Sequence, residues 1–319
     1  MLFAYRQSAG HLEQLAVSDR LQDAIWIDLY RPMPAQVQAV AALGVDVPTL
    51  EDMEEIEISN RLYREGGVDY VTVVLPGLSE TKAPQTGPVT FILTPERLVT
   101  VRHHAPRPFE TYPTRADKVG PGCSSTERVF LGLMEEIVGR LADLLEGTGT
   151  SLDAVTRSVY DPDQAKRSEV LQDALQNVGR VGDLVGRVRL SLLTLERAIG
   201  FLGQSMADRS PSDGLRPVVK ALLRDIQALE VHADFVSSRV ALASDATLGM
   251  VNLVQNSTVR IVSVVAVLFL PPTLIASVYG MNFRAMPELD QSWGYPMALG
   301  LMVASAVGTY LFFKWKNWL

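Results

Sequence analysis

The stretch IVSVVAVLFLPPTLIASVY, from Ile261 to Tyr279, decides how this chain is organised. Its 19 residues carry no charge, and a second uncharged run of 19 residues, YPMALGLMVASAVGTYLFF, extends from Tyr295 to Phe313. As a helix, each run would be roughly 28 Å long, which is close to the hydrocarbon thickness of a bilayer. A buried helix of this length in a soluble protein would normally show a polar face. We therefore predict two transmembrane helices, at about 261–279 and about 295–313.

Charge is unevenly distributed along the 319 residues, whose formal net charge is −7. Positions 1–259 hold 34 acidic and 25 basic residues, whereas positions 260–319 hold 2 acidic and 4 basic ones. This acidic excess argues against nucleic acid as a partner, because phosphate binding needs a clustered positive field. The single cysteine, Cys123, excludes an intramolecular disulfide and is too little for a cysteine-based zinc site.

The flanking residues predict the orientation of the two spans. The opening sequence MLFAYRQSAG has no cationic stretch followed by an apolar core, so we expect no cleaved signal peptide and an acidic part in the cytoplasm. Arg260 precedes the first run, and Lys314 and Lys316 follow the second, as expected for cytoplasmic flanks. We predict a multi-pass membrane protein with both termini in the cytoplasm, an outer loop at 280–294 and a basic cytoplasmic tail.

Residues 1–123 alternate β-branched and apolar clusters with turn signals, which predicts a cytoplasmic α+β domain with a mixed sheet and helices. One helix is expected from Pro34 to Leu43, and Thr49 is expected to cap a second one that begins with acidic residues. The predicted strands are 2–5, 12–17, 24–29, 70–75, 89–93 and 98–102.

Residues 124–259 carry apolar residues at spacings of three and four, which predicts long cytoplasmic helices at 124–146, 151–207 and 215–259. After Pro217 no proline occurs until Pro271. We therefore predict one helix of about 65 residues, a stalk from about 215 that continues into the first span of a membrane domain at 260–319. A helix this long needs lateral partners, and identical subunits are the simplest source.

One face of that long helix is distinctive. Stepping back from Gly280 by three and four residues gives Ser277, Thr273, Leu270, Ala266, Ser263, Val259, Asn256, Asn252, Gly249 and Asp245. Within the first span this face collects hydroxyl side chains, whereas the other faces are apolar. A polar stripe inside a membrane helix must face protein or water, so it either lines a pore or packs closely against another helix. Periodicity alone leaves both alternatives open.

The motif that follows the first span is more specific. The sequence YGMNF occupies Tyr279 to Phe283, and a short acidic loop with MPEL and WGYP leads to the second span. With these motifs, WIDL at Trp26 to Leu29 and the domain order, the whole chain resembles the CorA family of magnesium channels, of the enterobacterial type. The resemblance implies a funnel-shaped homopentamer in the inner (plasma) membrane of a bacterial cell.

The resemblance also implies roles for individual residues. Because Mg²⁺ gives up its water reluctantly, a filter gains by binding the hydrated ion, and Asn282 offers neutral oxygens for its waters. Tyr279, Gly280 and Met281 would shape this selectivity filter, and Glu288 in the outer loop would attract cations. Polar rings that contact hydrated Mg²⁺ through water would be those of Asn282, Thr273 and Asn256. The pore-lining residues would be Asn256, Val259, Val262, Ser263, Leu270, Thr273 and Ser277.

Gating and ion choice follow from the same resemblance. Leu270, Val259 and Val262 would form apolar constrictions that close by dewetting, and cytoplasmic Mg²⁺ would act as the regulatory ion. Asp245 would form an acidic ring in the stalk, and Asp225 corresponds to the family's position for sensing Mg²⁺. Co²⁺ and Ni²⁺ are further expected substrates.

Two other functions remain open at this stage. One is proton-coupled Zn²⁺ transport in a related branch, against which the intact Met281 counts. The other is a membrane-anchored oligomeric sensor or scaffold, which would have no need for Asn282 at the end of a span. We predict no enzyme and no cofactor, because no catalytic motif stands out. The adjacent His103 and His104 would point to opposite faces of a strand and so would not share a metal.

Overall fold

The computed structural model describes the chain except residues 17–19, 56, 58–60, 119, 210–213, 282–285, 288–290 and 317–319, and except the side chains of 204–209. Seven strands form one sheet in the order β2-β1-β3-β7-β6-β5-β4. The strands are β1 Leu2–Ser8, β2 His11–Gln14, β3 Trp26–Tyr30, β4 Leu62–Glu65, β5 Val68–Leu78, β6 Pro84–Leu93 and β7 Leu98–Arg102. The β3 and β7 strands pair in parallel and the other neighbours are antiparallel, so the sheet is mixed, as predicted.

Alternate residues of the central strands point into two separate hydrophobic cores. Trp26 points to one core and Ile27 to the other, and both side chains are fully buried. The larger core lies between the sheet and the long helices, where it includes Phe91 and Phe130 at a ring distance of 5.6 Å. The smaller core includes Val40 and residues of the opposite sheet face. Helices therefore cover both faces of the sheet, which explains why its central strands are apolar on both sides.

Edge strand β4 was not predicted from the sequence. Its four residues are only half-buried or exposed, and they pair with β5, with Tyr63 opposite Tyr70. The two tyrosine rings stack at 4.7 Å between centroids. A short edge strand lacks the strong apolar alternation of a central strand, which explains the missed prediction.

The helices are α1 Pro34–Ala41, α2 Leu50–Glu54, α3 Pro108–Thr111, α4 Thr126–Tyr160, α5 Ser168–Arg209, α6 Arg216–Tyr279 and α7 Gly294–Trp315. Helix α1 begins at the proline expected to start it and ends two residues before Leu43. The cap predicted for α2 is confirmed, because the Thr49 hydroxyl accepts a hydrogen bond from the Asp52 backbone N–H at 3.3 Å. The Asp52 carboxylate accepts in return from the Thr49 hydroxyl at 2.6 Å and from the Thr49 backbone N–H at 2.9 Å, and these two bonds lower the pKa of Asp52.

The predicted break between 146 and 151 is wrong. Helix α4 runs through Gly147 and Gly149 and ends at Tyr160. The chain turns instead at Asp161, whose carboxylate accepts hydrogen bonds from the backbone N–H groups of Asp163 at 2.9 Å and Gln164 at 3.3 Å. Two glycines cost a helix about 1 kcal/mol each, and tertiary packing outweighs that cost here.

The long helix predicted from about 215 is confirmed as the 64-residue α6, which continues through Pro271 and Pro272. The chain divides into two compact units. One comprises Met1–Arg157 and Ala174–Ser244, and the other comprises Ser158–Asp173 and Asp245–Leu319. The three-part division at 123 and 259 stays a prediction.

A buried ion pair joins the two parallel strands of the first unit. The Arg102 guanidinium donates to the Asp28 carboxylate from Nε at 3.1 Å and from Nη2 at 2.8 Å, and both side chains are buried. Asp28 also accepts from the Thr100 hydroxyl at 2.8 Å, and Arg102 donates to the carbonyl of His104 at 3.1 Å. Because both side chains are buried, each charge depends on its partner, and removing one of the two would leave the other buried and unpaired.

His104 is buried, with 1% of its surface exposed, and it follows β7 rather than lying within a strand. Its Nε2 donates to the Leu75 carbonyl at 2.8 Å. Gly77 and Gly87 make room for the ring, because a Cβ atom at Gly77 would lie 2.7 Å from His104 Cδ2 and 2.8 Å from the Ala105 carbonyl carbon. Burial lowers the pKa of His104 to about 4, so the imidazole is neutral at physiological pH.

Candidate ion pathway along helix α6

Two helices of the second unit are long and apolar enough to cross a membrane. They are the C-terminal part of α6 and the 22-residue α7. None of the residues in the most apolar window of α6 is buried within the chain, and 11% of the corresponding window of α7 is buried. A core helix of a soluble protein would be covered by its own chain, so the exposure of these apolar helices favours a lipid or subunit environment.

Helix α6 presents the predicted polar face to the outside of the single chain. All seven predicted pore-lining residues are exposed, and among them Val259, Val262 and Leu270 expose 64–69% of their surface. We call Asn256, Val259, Val262, Ser263, Leu270, Thr273 and Ser277 the α6 stripe.

The opposite face of α6 is partly covered. Val264, Leu268, Ile275 and Tyr279 are half-buried, in contrast to the exposed α6 stripe. At roughly 100° per residue, these positions lie about half a turn away from the α6 stripe. Helix α7 also has one less exposed side, on which Ala298 and Phe313 are buried. Packing within the chain therefore leaves the α6 stripe free for contact with water, lipid or another subunit, and it also leaves apolar residues such as Phe269 and Leu274 62% and 63% exposed.

Thr273 is oriented by its own helix. Its hydroxyl donates a hydrogen bond of 2.7 Å to the Phe269 carbonyl one turn earlier. The hydroxyl proton is used in this bond, so the lone pairs of the oxygen remain available to accept hydrogen bonds. An accepting oxygen suits the water shell of a cation, because the waters bound to a cation donate hydrogen bonds outward.

The proline pair Pro271 and Pro272 adds polar backbone beside Thr273, a feature that was not predicted from the sequence. Pro271 and Pro272 have no N–H, so the carbonyls of Val267 and Leu268 receive no hydrogen bond from the residue four positions later. The signal was visible in the sequence as two consecutive prolines between apolar residues. Carbonyls released in this way must find a donor in protein or water.

The motif after the first span lies partly within the described residues. Helix α6 ends at Tyr279, and the backbone N–H groups of Gly280 and Met281 donate to the carbonyls of Ala276 at 2.8 Å and Val278 at 3.3 Å. A Cβ atom at Gly280 would lie 3.0 Å from the Ala276 oxygen, so the tight turn favours glycine. Met281 is exposed. The predicted filter residue Asn282 and the loop carboxylate Glu288 lie outside the described residues.

The candidate regulatory carboxylates are separate from one another. Asp225 and Asp245 are both exposed on α6. Among the residues that the structure describes, no group of three or more histidine, cysteine or acidic side chains could hold a metal ion. Neither Asp225 nor Asp245 therefore belongs to a cluster of three such ligands within the part of the chain that the structure describes. The Nε2 atom of His104 is not available to a metal, because it donates a hydrogen bond to the Leu75 carbonyl.

Exposed aromatic side chains mark both ends of α7. Trp293 and Tyr295 at its beginning expose 52% and 76% of their surface, and Trp315 at its end exposes 77%. Lys316 lies 5.4 Å from the centre of the Trp315 ring. Tryptophan and tyrosine favour the interfaces between lipid and water, so their placement agrees with a helix that crosses a bilayer.

A mixed sheet flanked by long helices, followed by two apolar helices of spanning length, defines a membrane protein with a large polar part. The model of the family described as CorA-like Mg²⁺ transporter protein matches residues 22–315. The chain therefore belongs to the CorA family, as its motifs indicated. This family consists of transporters, in agreement with the expectation that the chain is not an enzyme.

The relatives cover the chain from end to end. The magnesium transport proteins CorA of Yersinia pestis and Salmonella typhimurium are each 33% identical to it over an alignment of 323 positions, which spans 100% of both chains. That of Haemophilus influenzae is 34% identical over 301 residues, which span 94% of this chain and 93% of the relative.

Two solved structures share the fold. The CorA magnesium transporter of Methanocaldococcus jannaschii superposes with a TM-score of 0.72 at 18% identity, over 100% of this chain and 99% of that one. The cytoplasmic domain of ZntB from Vibrio parahaemolyticus has a TM-score of 0.58 at 15% identity, over 77% of this chain and 96% of that one. The first likeness confirms the predicted fold class of a mixed sheet, long helices and two C-terminal apolar helices.

Proposed function

We propose that this protein is a channel that imports hydrated Mg²⁺ through a pore formed by identical subunits, with the α6 stripe of each subunit lining the pore. The observation that carries the proposal is the exposure of a polar face of a membrane helix on the side turned away from its half-buried face. Full-length relatives that are named magnesium transport proteins support Mg²⁺ as the ion.

The chemistry of the α6 stripe suits an ion that keeps its water. Mg²⁺ dehydrates reluctantly, so amide and hydroxyl oxygens that accept hydrogen bonds from its waters can select it without stripping them. Asn282 would supply such oxygens at the outer end, Thr273 in the middle and Asn256 at the inner end. Neutral oxygens also avoid the deep trap that a ring of carboxylates would make, which lets the ion leave.

The apolar members of the α6 stripe would form the gate. Val259, Val262 and Leu270 are exposed in the single chain, and rings of such side chains can exclude water from a narrow pore. A dry constriction stops a hydrated ion without a physical plug. Valine at two of these positions would leave the closed pore wider there than longer side chains would.

The assembly would be a homopentamer in the inner membrane, with both termini in the cytoplasm. The family resemblance suggests five subunits, and the basic residues at the inner ends of both spans support the orientation. Glu288 would then concentrate cations outside the membrane. Mg²⁺ bound between cytoplasmic carboxylates, among them Asp225 and Asp245, would hold the pore shut, since losing the ion leaves acidic surfaces to repel one another.

The first test replaces the filter amide. Asn282→Ala should abolish Mg²⁺ uptake into proteoliposomes that contain a Mg²⁺-sensitive dye, while the detergent-solubilised oligomer keeps its size. Undiminished uptake would remove Asn282 from the filter.

A matched pair of threonine variants tests the α6 stripe itself. Thr273→Val should lower Mg²⁺ uptake at least about fivefold, because every subunit loses its hydroxyl and a single neutral hydrogen bond to the hydrated ion already contributes about 1 kcal/mol. Thr309→Val in α7 is the control, because its hydroxyl makes the same kind of bond to its own helix, 2.9 Å to Ser305, on a half-buried face. Equal losses in both variants would contradict a pore along α6.

Ion choice is tested by comparing uptake of Mg²⁺, Co²⁺, Ni²⁺ and Zn²⁺ with and without a pH gradient. We expect Mg²⁺, Co²⁺ and Ni²⁺ to enter without the gradient. Zn²⁺ uptake that requires the gradient, with little Mg²⁺ uptake, would instead indicate proton-coupled zinc transport. No flux of any ion from correctly assembled protein would favour a sensor or scaffold.

A further inference from the structure

A polar cleft of about 550 Å³ opens in the first unit. One wall is formed by the segment 107–118, which includes α3, and the other by one face of α4. Four cationic side chains line it, from Arg107, Arg115, Lys118 and Arg140. So many cations around one cleft are unexpected in a region whose overall charge is strongly negative.

Three carboxylates, from Glu135, Glu136 and Asp143, also line the cleft, so its four cations exceed them by one. The Glu136 carboxylate already has two partners, because it accepts hydrogen bonds from the Thr111 hydroxyl at 2.8 Å and from Arg115 at 3.0 Å. Asp143 lies 4.0 Å from Arg140, at the limit of an ion pair. Among the described residues, Arg107 and Lys118 form no ion pair. The cleft therefore holds cationic groups without full compensation, and cations that surround Glu136 disfavour a metal ion there.

We propose that this cleft binds a polyanion that carries phosphate groups, through Arg107, Arg115, Lys118 and Arg140. Guanidinium groups match phosphate oxygens in pairs, and an ammonium group adds a point charge. The volume is that of a small-molecule site, and the polar lining disfavours an apolar ligand. Inorganic polyphosphate and the phosphate chain of a nucleotide share this chemistry.

Gly139 is the part of the α4 wall that gives the ligand access. It lies between Glu135 and Asp143 on the same helical face, and a Cβ atom built on it would meet no atom within 4 Å. Glycine inside a helix costs about 1 kcal/mol relative to alanine, and here it leaves open space beside the backbone. A larger side chain at this position would occupy the cleft without changing its charge.

The test measures binding of sodium triphosphate to the full-length protein in detergent by titration calorimetry, in about 50 mM NaCl and with EDTA to remove metal ions. We expect saturable binding by the wild-type protein. Lys118→Glu and Arg107→Glu should each weaken it at least about tenfold, since each removes a charge-assisted contact. Gly139→Leu should weaken it as well. Lys118→Gln and Arg107→Gln repeat the test with a smaller change if a charge reversal disturbs folding.

Lys220→Glu is the matched control, because it makes the same charge reversal on α6, outside the cleft. It should change the Kd less than about twofold. Titration with ATP in place of triphosphate distinguishes the sources: tighter binding of ATP indicates a nucleotide, and equal or weaker binding indicates recognition of the phosphate chain alone. The proposal is overturned if neither ligand binds saturably, if the cleft variants bind as the wild type does, or if Lys220→Glu causes the same loss.

Discussion

The buried imidazole of His104 should make the first unit less stable in mild acid. The unfolded chain has a histidine pKa near 6.5, whereas burial lowers that of His104 to about 4 in the folded chain. Between these values the unfolded state binds a proton that the folded state does not. The stability that His104 supports is therefore complete above about pH 6.5 and is lost as the pH falls toward 4.

The magnitude follows from the two pKa values. Between about pH 7.5 and pH 5 the folded imidazole stays mostly neutral while the unfolded one becomes charged. The linkage relation then gives a loss of about 2 kcal/mol in the free energy of unfolding over this interval. That is a large fraction of the stability of an ordinary domain.

Trp26 provides the assay, because it is fully buried in the first unit and the three other tryptophans, at 293, 315 and 318, belong to the C-terminal region. Replacing those three by phenylalanine leaves a fluorescence signal from the first unit of the full-length protein. Urea titrations at the two pH values then give the free energy of unfolding.

His104→Gln is the matched variant for this measurement. Its side-chain amide can donate to the Leu75 carbonyl, as the imidazole does, but it does not titrate. All other titrating groups contribute equally to both proteins. The variant should lose about 2 kcal/mol less than the wild type between the two pH values. Equal losses would refute the conclusion that His104 is buried and neutral.

Three further predictions use the same assay. Asp28→Ala should lower the free energy of unfolding by about 3–5 kcal/mol, because it leaves Arg102 charged and buried; a loss below about 1 kcal/mol would mean that water reaches the guanidinium. Gly77→Ala should cost about 1–3 kcal/mol, since its Cβ would overlap His104 and the Ala105 backbone, and an unchanged urea midpoint would contradict that packing. Tyr112→Phe should leave stability unchanged or raise it by about 1 kcal/mol, because the Tyr112 hydroxyl is buried with no hydrogen-bond partner among the described residues; a clear loss would reveal a partner.

Local sequence signals predicted much of the fold because their physical causes are local. An uncharged run of 19 residues specifies a spanning helix, since each unpaired charge in hydrocarbon is costly. Thr49 and Asp52 form a cap across three residues, and the central strands carry their own apolar patterns. The break predicted near Gly147 failed because helix propensity is weak compared with packing, and Leu145 and Leu152 on either side are buried.

The sequence by itself determined the membrane helices, the uninterrupted length of α6 and the polar face that ends at the Gly280 turn. Each of these features depends on the spacing of residues within a single helix. It left open whether that face lines a pore or packs against a neighbour.

Only the tertiary structure decided which surfaces are covered, because burial depends on residues that are distant in the sequence. It shows that the opposite face of α6 is the half-buried one. It also brings together Asp28 and Arg102, which are 74 residues apart, and it encloses His104 between glycines of β5 and β6. Residue spacing cannot reveal such pairs, because the sequence around a charged residue does not show which distant residue will pair with it.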